Sequence, residues 1–268
     1  MKKIRDTAFK AAEEAGKILL KYYRKGIDIN YKGTGNPVTT ADKESEQLVI
    51  NLIRKNFPTH GIISEETNYA NQNIKSLAKN YTWIIDPLDG TVNYIHGLNI
   101  FAVSIGVVDS KGESLLGIIY NPVTKEMYYG EKGRGSYLNG KKLSVSKLTA
   151  LNESLFVTGL PYYVRKDPER LLRNLVNFVV KTEGIRRLGS AALDMAYTAK
   201  GSFEGFWEEG LHSWDVAAGI VIVNEAGGKV TDYEGGSDYL FGRKIVVTNS
   251  KIHNQVLKVL KKGNRPSK

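Results

Sequence analysis

The stretch Trp83–Gly97 reads WIIDPLDGTVNYIHG and combines an apolar run, two acids and a glycine turn. Its first three residues predict a short buried strand. The proline at position 87 lacks a backbone donor and favours extended geometry in the residue before it, so the predicted strand ends at Asp86. Asp89, Gly90 and Thr91 follow, at what the sequence indicates as a helix start. Two carboxylates are therefore expected around one tight turn at the end of a strand.

The acids of this turn point to metal-assisted phosphoryl chemistry. Clustered carboxylates repel each other unless positive charge lies between them, and Mg²⁺ binds carboxylate and carbonyl oxygens together with substrate phosphate. Glycine lets a phosphate approach the backbone, and the free amides of a helix start favour an anion. The plainer interpretation is a solvent-exposed turn, since Asp-Pro and Asp-Gly pairs are common there. The buried strand in front of the turn and the further acids elsewhere in the chain count against it.

The composition is that of a globular protein with an excess of positive charge. The 268 residues include 38 Lys and Arg against 28 Asp and Glu, a formal net charge of +10. Such a charge favours anionic partners, among them small phosphorylated molecules. No basic motif is interleaved with aromatic residues, so the sequence carries no signature of nucleic-acid recognition but leaves such binding open.

Cysteine and histidine usage narrows the chemistry further. Cysteine is absent, which excludes disulfides, thiolate metal sites and cysteine nucleophiles. The four histidines include no pair at metal-ligand spacing, which argues against zinc. Charges interrupt the N-terminal segment throughout, and no apolar run is long enough for a signal peptide core or a membrane span. The expectation is a cytoplasmic enzyme without a membrane partner.

The first half of the chain predicts helices followed by a largely antiparallel sheet. Apolar residues at helical spacing predict helices over Ile4–Tyr22 and Asp42–Asn56. The polar, glycine-rich segment Tyr31–Thr40 between them is typical of a mobile loop beside a catalytic centre. Strands are predicted at Gly61–Ser64, Phe101–Val108, Ser114–Tyr120 and Glu126–Gly130, with Thr67–Asn80 as an exposed connection.

The second half alternates strand and helix, which predicts a layered sandwich with a mixed or parallel sheet. Small residues at Ala217–Gly219 would let one helix pack closely against a sheet. The predicted strands are Leu155–Gly159, Ile185–Leu188, Phe203–Trp207 and Ile245–Thr248, and the predicted helices are Pro168–Lys181, Ser190–Ala199, Asp215–Ala226 and Ile252–Leu260. No repeat or linker separates the halves, so residues 1–268 are expected to form one unit. Its α+β half, 1–150, carries the metal-site acids and packs along an α/β half, 151–268.

Acids also stand at the ends of other predicted elements. Glu65 directly follows the strand Gly61–Ser64, as Asp86 follows its own strand. Asp42 and Asp215 each lie at the start of a predicted helix, where a helix cap or first-turn acid is the plainer explanation. Capping and metal ligation are compatible, because one carboxylate oxygen can accept an amide while the other binds an ion.

Together these residues resemble the inositol monophosphatase family of lithium-sensitive, Mg²⁺-dependent phosphomonoesterases. The residues that carry the resemblance are Ile63–Glu66, Trp83–Tyr94, Trp214–Gly219 and Glu225–Gly228. The match covers nearly the whole chain, and the central and C-terminal blocks in this order are highly specific. The resemblance implies a layered αβαβα sandwich, of α+β or α/β class, and a homodimer.

The resemblance also implies a metal-ligand set. Glu65, Asp86 and the backbone carbonyl of Leu88 would hold a first Mg²⁺. Asp86, Asp89 and Asp215 would hold a second, so that Asp86 bridges the two ions. A third, weaker Mg²⁺ near Glu65 occurs in the family. The expected cofactor is therefore Mg²⁺, with two or three ions per subunit.

Catalytic roles are implied for Thr91, Asp42 and Glu65. Thr91, hydrogen-bonded to Asp42, would orient a metal-activated water for in-line attack on phosphorus, and the amides around Gly90 and Thr91 would receive the phosphate. Lys32, in the glycine-rich segment, is a further candidate partner of phosphate or water. Substrate hydroxyls would be bound by Asp89, Glu208, Asp215 and the backbone around Ser190 and Ala191.

The activity implied by the resemblance is hydrolysis of myo-inositol monophosphate to inositol and phosphate. Relatives with the same acids hydrolyse fructose 1,6-bisphosphate, and some do both. A branch that acts on nucleotide 3′-phosphates carries larger insertions that this chain lacks. A non-catalytic role as accessory factor in ribosomal RNA transcription is the alternative from another class. The complete group of acids favours catalysis, because a binding role alone would not need so many carboxylates together.

Overall fold

The computed structural model describes residues 1–25, 29–33, 36–68 and 77–263. Within these ranges the helices are α1 Lys2–Tyr22, α2 Thr40–Asn56, α3 Glu65–Asn68, α4 Thr91–Ile95, α5 Pro168–Val179, α6 Ala191–Ala199, α7 Ser213–Glu225 and α8 His253–Gly263. The strands are β1 Ile29–Gly33, β2 Asn36–Thr39, β3 Gly61–Ser64, β4 Tyr81–Asp89, β5 Ala102–Asp109, β6 Ser114–Asn121, β7 Glu126–Glu131, β8 Gly135–Leu138, β9 Lys141–Lys142, β10 Leu155–Thr158, β11 Gly184–Arg186, β12 Gly205–Glu209, β13 Lys229–Thr231 and β14 Lys244–Thr248.

These strands form two main sheets. The larger sheet has the order β3-β4-β5-β6-β7-β8-β9, and the smaller one β11-β10-β12-β14-β13. Every pairing in the larger sheet is antiparallel except that of β3 with β4. In the smaller sheet β10 runs parallel to β11 and β12, whereas β14 is antiparallel to β12 and β13. The predictions of a largely antiparallel first sheet and a mixed second one are confirmed.

The helices cover both sheets and separate them. Helices α1 and α2 pack on the larger sheet, α6 and α7 lie between the sheets, and α5 and α8 cover the smaller sheet. Three buried apolar clusters fill the spaces between these layers. One contains Phe206, a second contains Trp83 and a third contains Phe178. The predicted αβαβα sandwich is confirmed, whereas the division after residue 150 stays a prediction. No helix in the described ranges has the length and apolar character needed to cross a membrane.

Close packing of α7 depends on a row of glycines across the larger sheet. Gly106, Gly117 and Gly130 lie side by side on β5, β6 and β7. A Cβ at Gly117 would lie 2.2 Å from the carbonyl oxygen of Ala218, a backbone atom that cannot move aside alone. A side chain in this row would therefore push α7 off the sheet. Because Asp215 lies in the first turn of α7, the glycine row also fixes the position of that acid.

Substitution of Gly117 by alanine is expected to destabilise the protein. The overpacking should lower the free energy of unfolding by about 2–3 kcal/mol, measured by urea denaturation. Gly184→Ala is the matched control, since it adds the same methyl to another strand where the nearest atom would be 3.3 Å away, at the end of the Arg186 side chain. Equal losses of stability in the two variants would contradict the role of the glycine row.

Several predicted strands and helices have ends that are shifted by one to three residues in the structure, and two predictions differ from it more strongly. Strand β4 continues beyond Asp86 to Asp89, because an irregularity in its pairing with β5 accommodates the proline. The loop predicted over Tyr31–Thr40 is wrong where the structure describes it, because β1 and β2 satisfy each other's backbone groups as an antiparallel hairpin. The Lys32 side chain, most of the connection predicted over Thr67–Asn80 and the C-terminal residues 264–268 lie outside the described part of the chain.

Candidate metal centre

Asp86 and Asp89 come together because a bulge lies between them in β4. Asp86 pairs with Ser104 and Asp89 with Ala102, so two residues of β4 stand opposite one residue of β5. Residues three apart in a regular strand point to opposite faces, and the extra residue of a bulge reverses that alternation. Proline is tolerated at a bulge because no ladder bond is required there. The bulge thus converts a strand end into a pair of neighbouring carboxylates.

Asp215 joins this pair from the start of α7. Carboxylate oxygens of Asp86, Asp89 and Asp215 all lie within 4.8 Å of one another. The backbone amide of His212 donates to Asp215 Oδ2 at 2.6 Å, as part of a capping box at the N-terminus of α7. Asp215 therefore caps its helix and also faces the acids of β4, so capping does not exclude the predicted role as a metal ligand.

Glu65 approaches the centre from the neighbouring strand. Strand β3 runs parallel to β4 with Ser64 opposite Ile85, so Glu65 follows its strand beside Asp86. Its carboxylate is not one of the three that lie within 4.8 Å of one another, but its charge raises the pKa of each of them. The structure thus brings all four predicted acids to one region, with Glu65 at its edge.

Burial and mutual repulsion raise the pKa values of the clustered acids. Burial is the largest cause in each case, followed for Asp86 and Asp215 by the charge of Glu65. The pKa of Asp89 is raised to about 6, mainly by burial, although hydrogen bonds oppose the shift. A divalent cation would offset this crowding of negative charge. The donors are oxygens, which suits a hard ion such as Mg²⁺, so the residues present fit the cofactor that the sequence predicts.

A hydroxyl and a buried carboxylate adjoin the acids. Thr91 Oγ1 lies 3.3 Å from Asp42 Oδ1 and 3.1 Å from the carbonyl oxygen of Leu88. The other oxygen, Asp42 Oδ2, accepts from the amide of Thr39 at 2.8 Å and from its hydroxyl at 2.6 Å, which caps α2. Asp42 is fully buried. The first-turn interpretation of Asp42 is therefore correct, and the same side chain also bonds to Thr91.

The residues predicted to bind substrate lie around Asp89 and on β12. Asp89 Oδ2 accepts from the hydroxyl of Ser190 and, at 2.8 Å, from the amide of Ala192 at the start of α6. Glu208 packs so closely on Gly159 that a Cβ there would lie 2.1 Å from its Oε1 atom. Burial and the charge of Asp89 raise the pKa of Glu208 to about 8. The start of α6 thus positions Asp89. The side chain of Glu208 packs in the space that the absence of a side chain at Gly159 leaves open.

Two buried acids near the centre, Glu46 and Asp194, are not among the site residues predicted from the sequence. Glu46 lies on α2 and accepts hydrogen bonds from residues on both sides of Glu65. Its spacing of four residues from Asp42, on the same helix face, is the signal in the sequence. Asp194 on α6 is buried, and its Oδ1 atom has no hydrogen-bond partner among the described residues. Burial and the charge of Glu208 raise the pKa of Asp194 well above its usual range. No local sequence pattern predicts a functional role for this residue.

A buried, all-oxygen acid centre at the end of a sheet in a five-layer sandwich is the arrangement of a metal-dependent phosphatase. The family model described as the inositol monophosphatase family matches residues 1–265. The chain therefore belongs to the inositol monophosphatase family, whose members depend on metal ions.

Similar proteins are named either inositol-1-monophosphatase or Nus factor SuhB. An inositol-1-monophosphatase of Mesorhizobium japonicum is 38% identical over 254 residues, which cover 94% of each chain. The Nus factor SuhB of Pseudomonas aeruginosa is also 38% identical, over 100% of this chain and 99% of its own. The solved structure of an inositol monophosphatase from Anabaena has a TM-score of 0.85 at 37% identity and covers 97% of this chain and 96% of its own.

Proposed function

We propose that the chain is a Mg²⁺-dependent phosphomonoesterase that hydrolyses myo-inositol monophosphate to inositol and phosphate. The observation that supports this most is the meeting of Asp86, Asp89 and Asp215 beside the bonded pair Thr91 and Asp42. The similarity to proteins named inositol-1-monophosphatase supports the choice of substrate. A homodimer, lithium sensitivity and a cytoplasmic location stay predictions that accompany this proposal.

The acids divide between two ions in this proposal. Glu65, Asp86 and the Leu88 carbonyl would hold one Mg²⁺, and Asp86, Asp89 and Asp215 would hold the other, with a third, weaker ion near Glu65. When bound, such ions lower the pKa of a water molecule and offset charge on the attacking and leaving oxygens. The raised pKa values of Asp86 and Asp215 accord with this, because both acids are crowded by negative charge that cations would offset.

Thr91 is proposed to orient the attacking water. The Thr91 hydroxyl can donate its one proton to Asp42 Oδ1 or to the carbonyl oxygen of Leu88. Because the proton points to one of these acceptors, the lone pairs of the Thr91 oxygen can accept a hydrogen bond from water. Asp42 cannot turn away, because Thr39 holds its second oxygen. Thr91 and Asp42 therefore form a fixed acceptor for the water that attacks phosphorus, and Glu65 completes the proposed catalytic group.

Gly90 and its neighbours are proposed to receive the phosphate. Gly90 has a φ of +91°, and a Cβ there would lie 2.9 Å from the carbonyl oxygen of Ile100. The position therefore favours glycine, which leaves the amides around Gly90 and Thr91 open to an anion. At the other end of the substrate, ring hydroxyls would be bound by Asp89, Glu208, Asp215 and the backbone around Ser190 and Ala191.

A phosphate-release assay tests this proposal. Purified protein is incubated with inositol 1-phosphate, fructose 1,6-bisphosphate or a nucleotide 3′-phosphate, each with Mg²⁺ and with excess chelator. We expect Mg²⁺-dependent release that is fastest from inositol 1-phosphate. Fastest release from fructose 1,6-bisphosphate would move the assignment to the alternative substrate, and release unaffected by the chelator would overturn the metal-dependent proposal.

A role as accessory factor in ribosomal RNA transcription is the second candidate, supported by the similarity to proteins named Nus factor SuhB. The net charge of +10 would favour contact with RNA. Retention of RNA at physiological salt, together with no phosphate release from any substrate, would favour this role over hydrolysis.

A further inference from the structure

Glu46 is a buried carboxylate on α2 that holds the segment around Glu65. Only 5% of Glu46 is exposed. Its Oε2 atom accepts from the hydroxyl of Ser64 and, at 2.8 Å, from the amide of Glu66. Its Oε1 atom accepts from the hydroxyl of Thr67 at 2.5 Å. One carboxylate thus bonds to the residue before Glu65 and to the two residues after it.

The segment that carries Glu65 needs such support. Helix α3, which begins at Glu65, has only four residues, and an isolated turn of helix is unstable in water. One local bond closes the turn, from the amide of Ser64 to Asn68 Oδ1 at 2.8 Å. Three hydrogen bonds to Glu46 thus join this turn to the long helix α2.

The same face of α2 contacts two other parts of the centre. Asp42 bonds to Thr91, and the hydroxyl of Ser45 lies 3.3 Å from the carbonyl oxygen of Pro87, inside the bulge of β4. Asp42, Ser45 and Glu46 follow the spacing i, i+3 and i+4, which places them on one side of a helix. The first turns of α2 thus link the bulge, the water-orienting hydroxyl and the Glu65 turn through one rigid element.

We propose that Glu46 is a positioning residue for metal binding, which acts by holding Glu65 at a fixed place relative to Asp86. The proposal rests on the metal site described under the proposed function. A carboxylate ligand that is free to move loses entropy when an ion binds, so loss of its support should weaken affinity even though no metal ligand is removed.

The test is a calorimetric titration of the full chain with Mg²⁺ alone. Glu46→Gln keeps the size of the side chain but replaces one carboxylate oxygen with an NH₂ group. This new donor would face the hydroxyl and amide donors that the carboxylate accepts from in the wild type. We expect the dissociation constant of Mg²⁺ to rise about 10- to 100-fold. Glu44→Gln is the matched control on the same helix, because Glu44 is only partly buried and bonds to Tyr22 and Lys21 of α1. Its Mg²⁺ affinity should equal that of the wild type.

A second measurement separates positioning from general stability. If Glu46 positions Glu65, phosphatase activity of Glu46→Gln should recover at high Mg²⁺, whereas a collapsed site would stay inactive. Should that variant not fold, Thr67→Val removes one donor to Glu46 and is expected to weaken Mg²⁺ binding about three- to fivefold. If Glu46→Gln binds Mg²⁺ with wild-type affinity, the proposal is overturned. If only Thr67→Val folds, wild-type Mg²⁺ affinity in that variant would overturn it. A wild-type protein that binds no Mg²⁺ would instead refute the metal site itself.

Discussion

Asp86→Asn is expected to lower phosphate release by at least about a thousandfold, roughly 4 kcal/mol of transition-state stabilisation. Asp86 is the carboxylate that both proposed ions would share, and asparagine keeps its shape while removing its charge. Folding should survive, because the amide oxygen can still accept from the Leu88 amide, now 2.9 Å from Asp86 Oδ1. The measurements are turnover of inositol 1-phosphate and thermal unfolding with and without Mg²⁺.

The unfolding data provide the sharper part of this test. Burial and three neighbouring acids raise the pKa of Asp86, so above its ordinary pKa this acid makes the metal-free fold less stable than a neutral side chain would. The variant without metal should therefore unfold at the same temperature as the wild type or a higher one, and Mg²⁺ should stabilise it less. Asp6→Asn, at an exposed position on α1, is the control and should leave both properties unchanged. Near-normal turnover of Asp86→Asn would refute the assignment of the ligand.

The main acids stand out as site candidates in the sequence because each lies next to a recognisable boundary. Asp86 and Glu65 follow apolar runs that end in polar residues, and Asp215 precedes a helix of small residues. Such boundaries are local, so one sequence can reveal them. That these acids would meet at one centre was implied only by the resemblance to a family, and the structure accounts for it through β4, its parallel neighbour β3 and the packing of α7.

Features that depend on contacts distant in sequence were not predictable in this way. The bulge in β4 needs the register against β5, and local pattern indicated only that proline should end the strand. The row of Gly106, Gly117 and Gly130 becomes visible only when three strands are aligned. The spacing of Glu46 from Asp42 places both on one helix face, but its contacts with Ser64 and Thr67 depend on the tertiary structure. Local sequence thus indicates the candidate ligands, whereas tertiary contacts determine how firmly these side chains are held.

The centre is assembled from the ends of elements that are themselves anchored elsewhere. The β4 bulge supplies two acids, the capping box of α7 orients a third, and the same kind of cap on α2 orients Asp42. In both caps the acid that satisfies a helix start also faces the site. A substitution at Asp42 or Asp215 should therefore affect helix stability and chemistry together, so neither is suited to isolate a catalytic effect.

Thr91 permits that separation. Thr91→Ala is expected to reduce kcat about a hundredfold at saturating Mg²⁺, because the water loses its fixed acceptor. Mg²⁺ affinity should change little, since the proposed ligands keep their charges and the lost hydroxyl, which bonds to Asp42 and the Leu88 carbonyl, is not itself a proposed ligand. Thr91→Ser retains the hydroxyl and should keep most of the activity. Turnover by Thr91→Ala equal to that of the wild type would remove Thr91 from the mechanism, and a matching loss in Thr91→Ser would show that the methyl group, not the hydroxyl, is what the site requires.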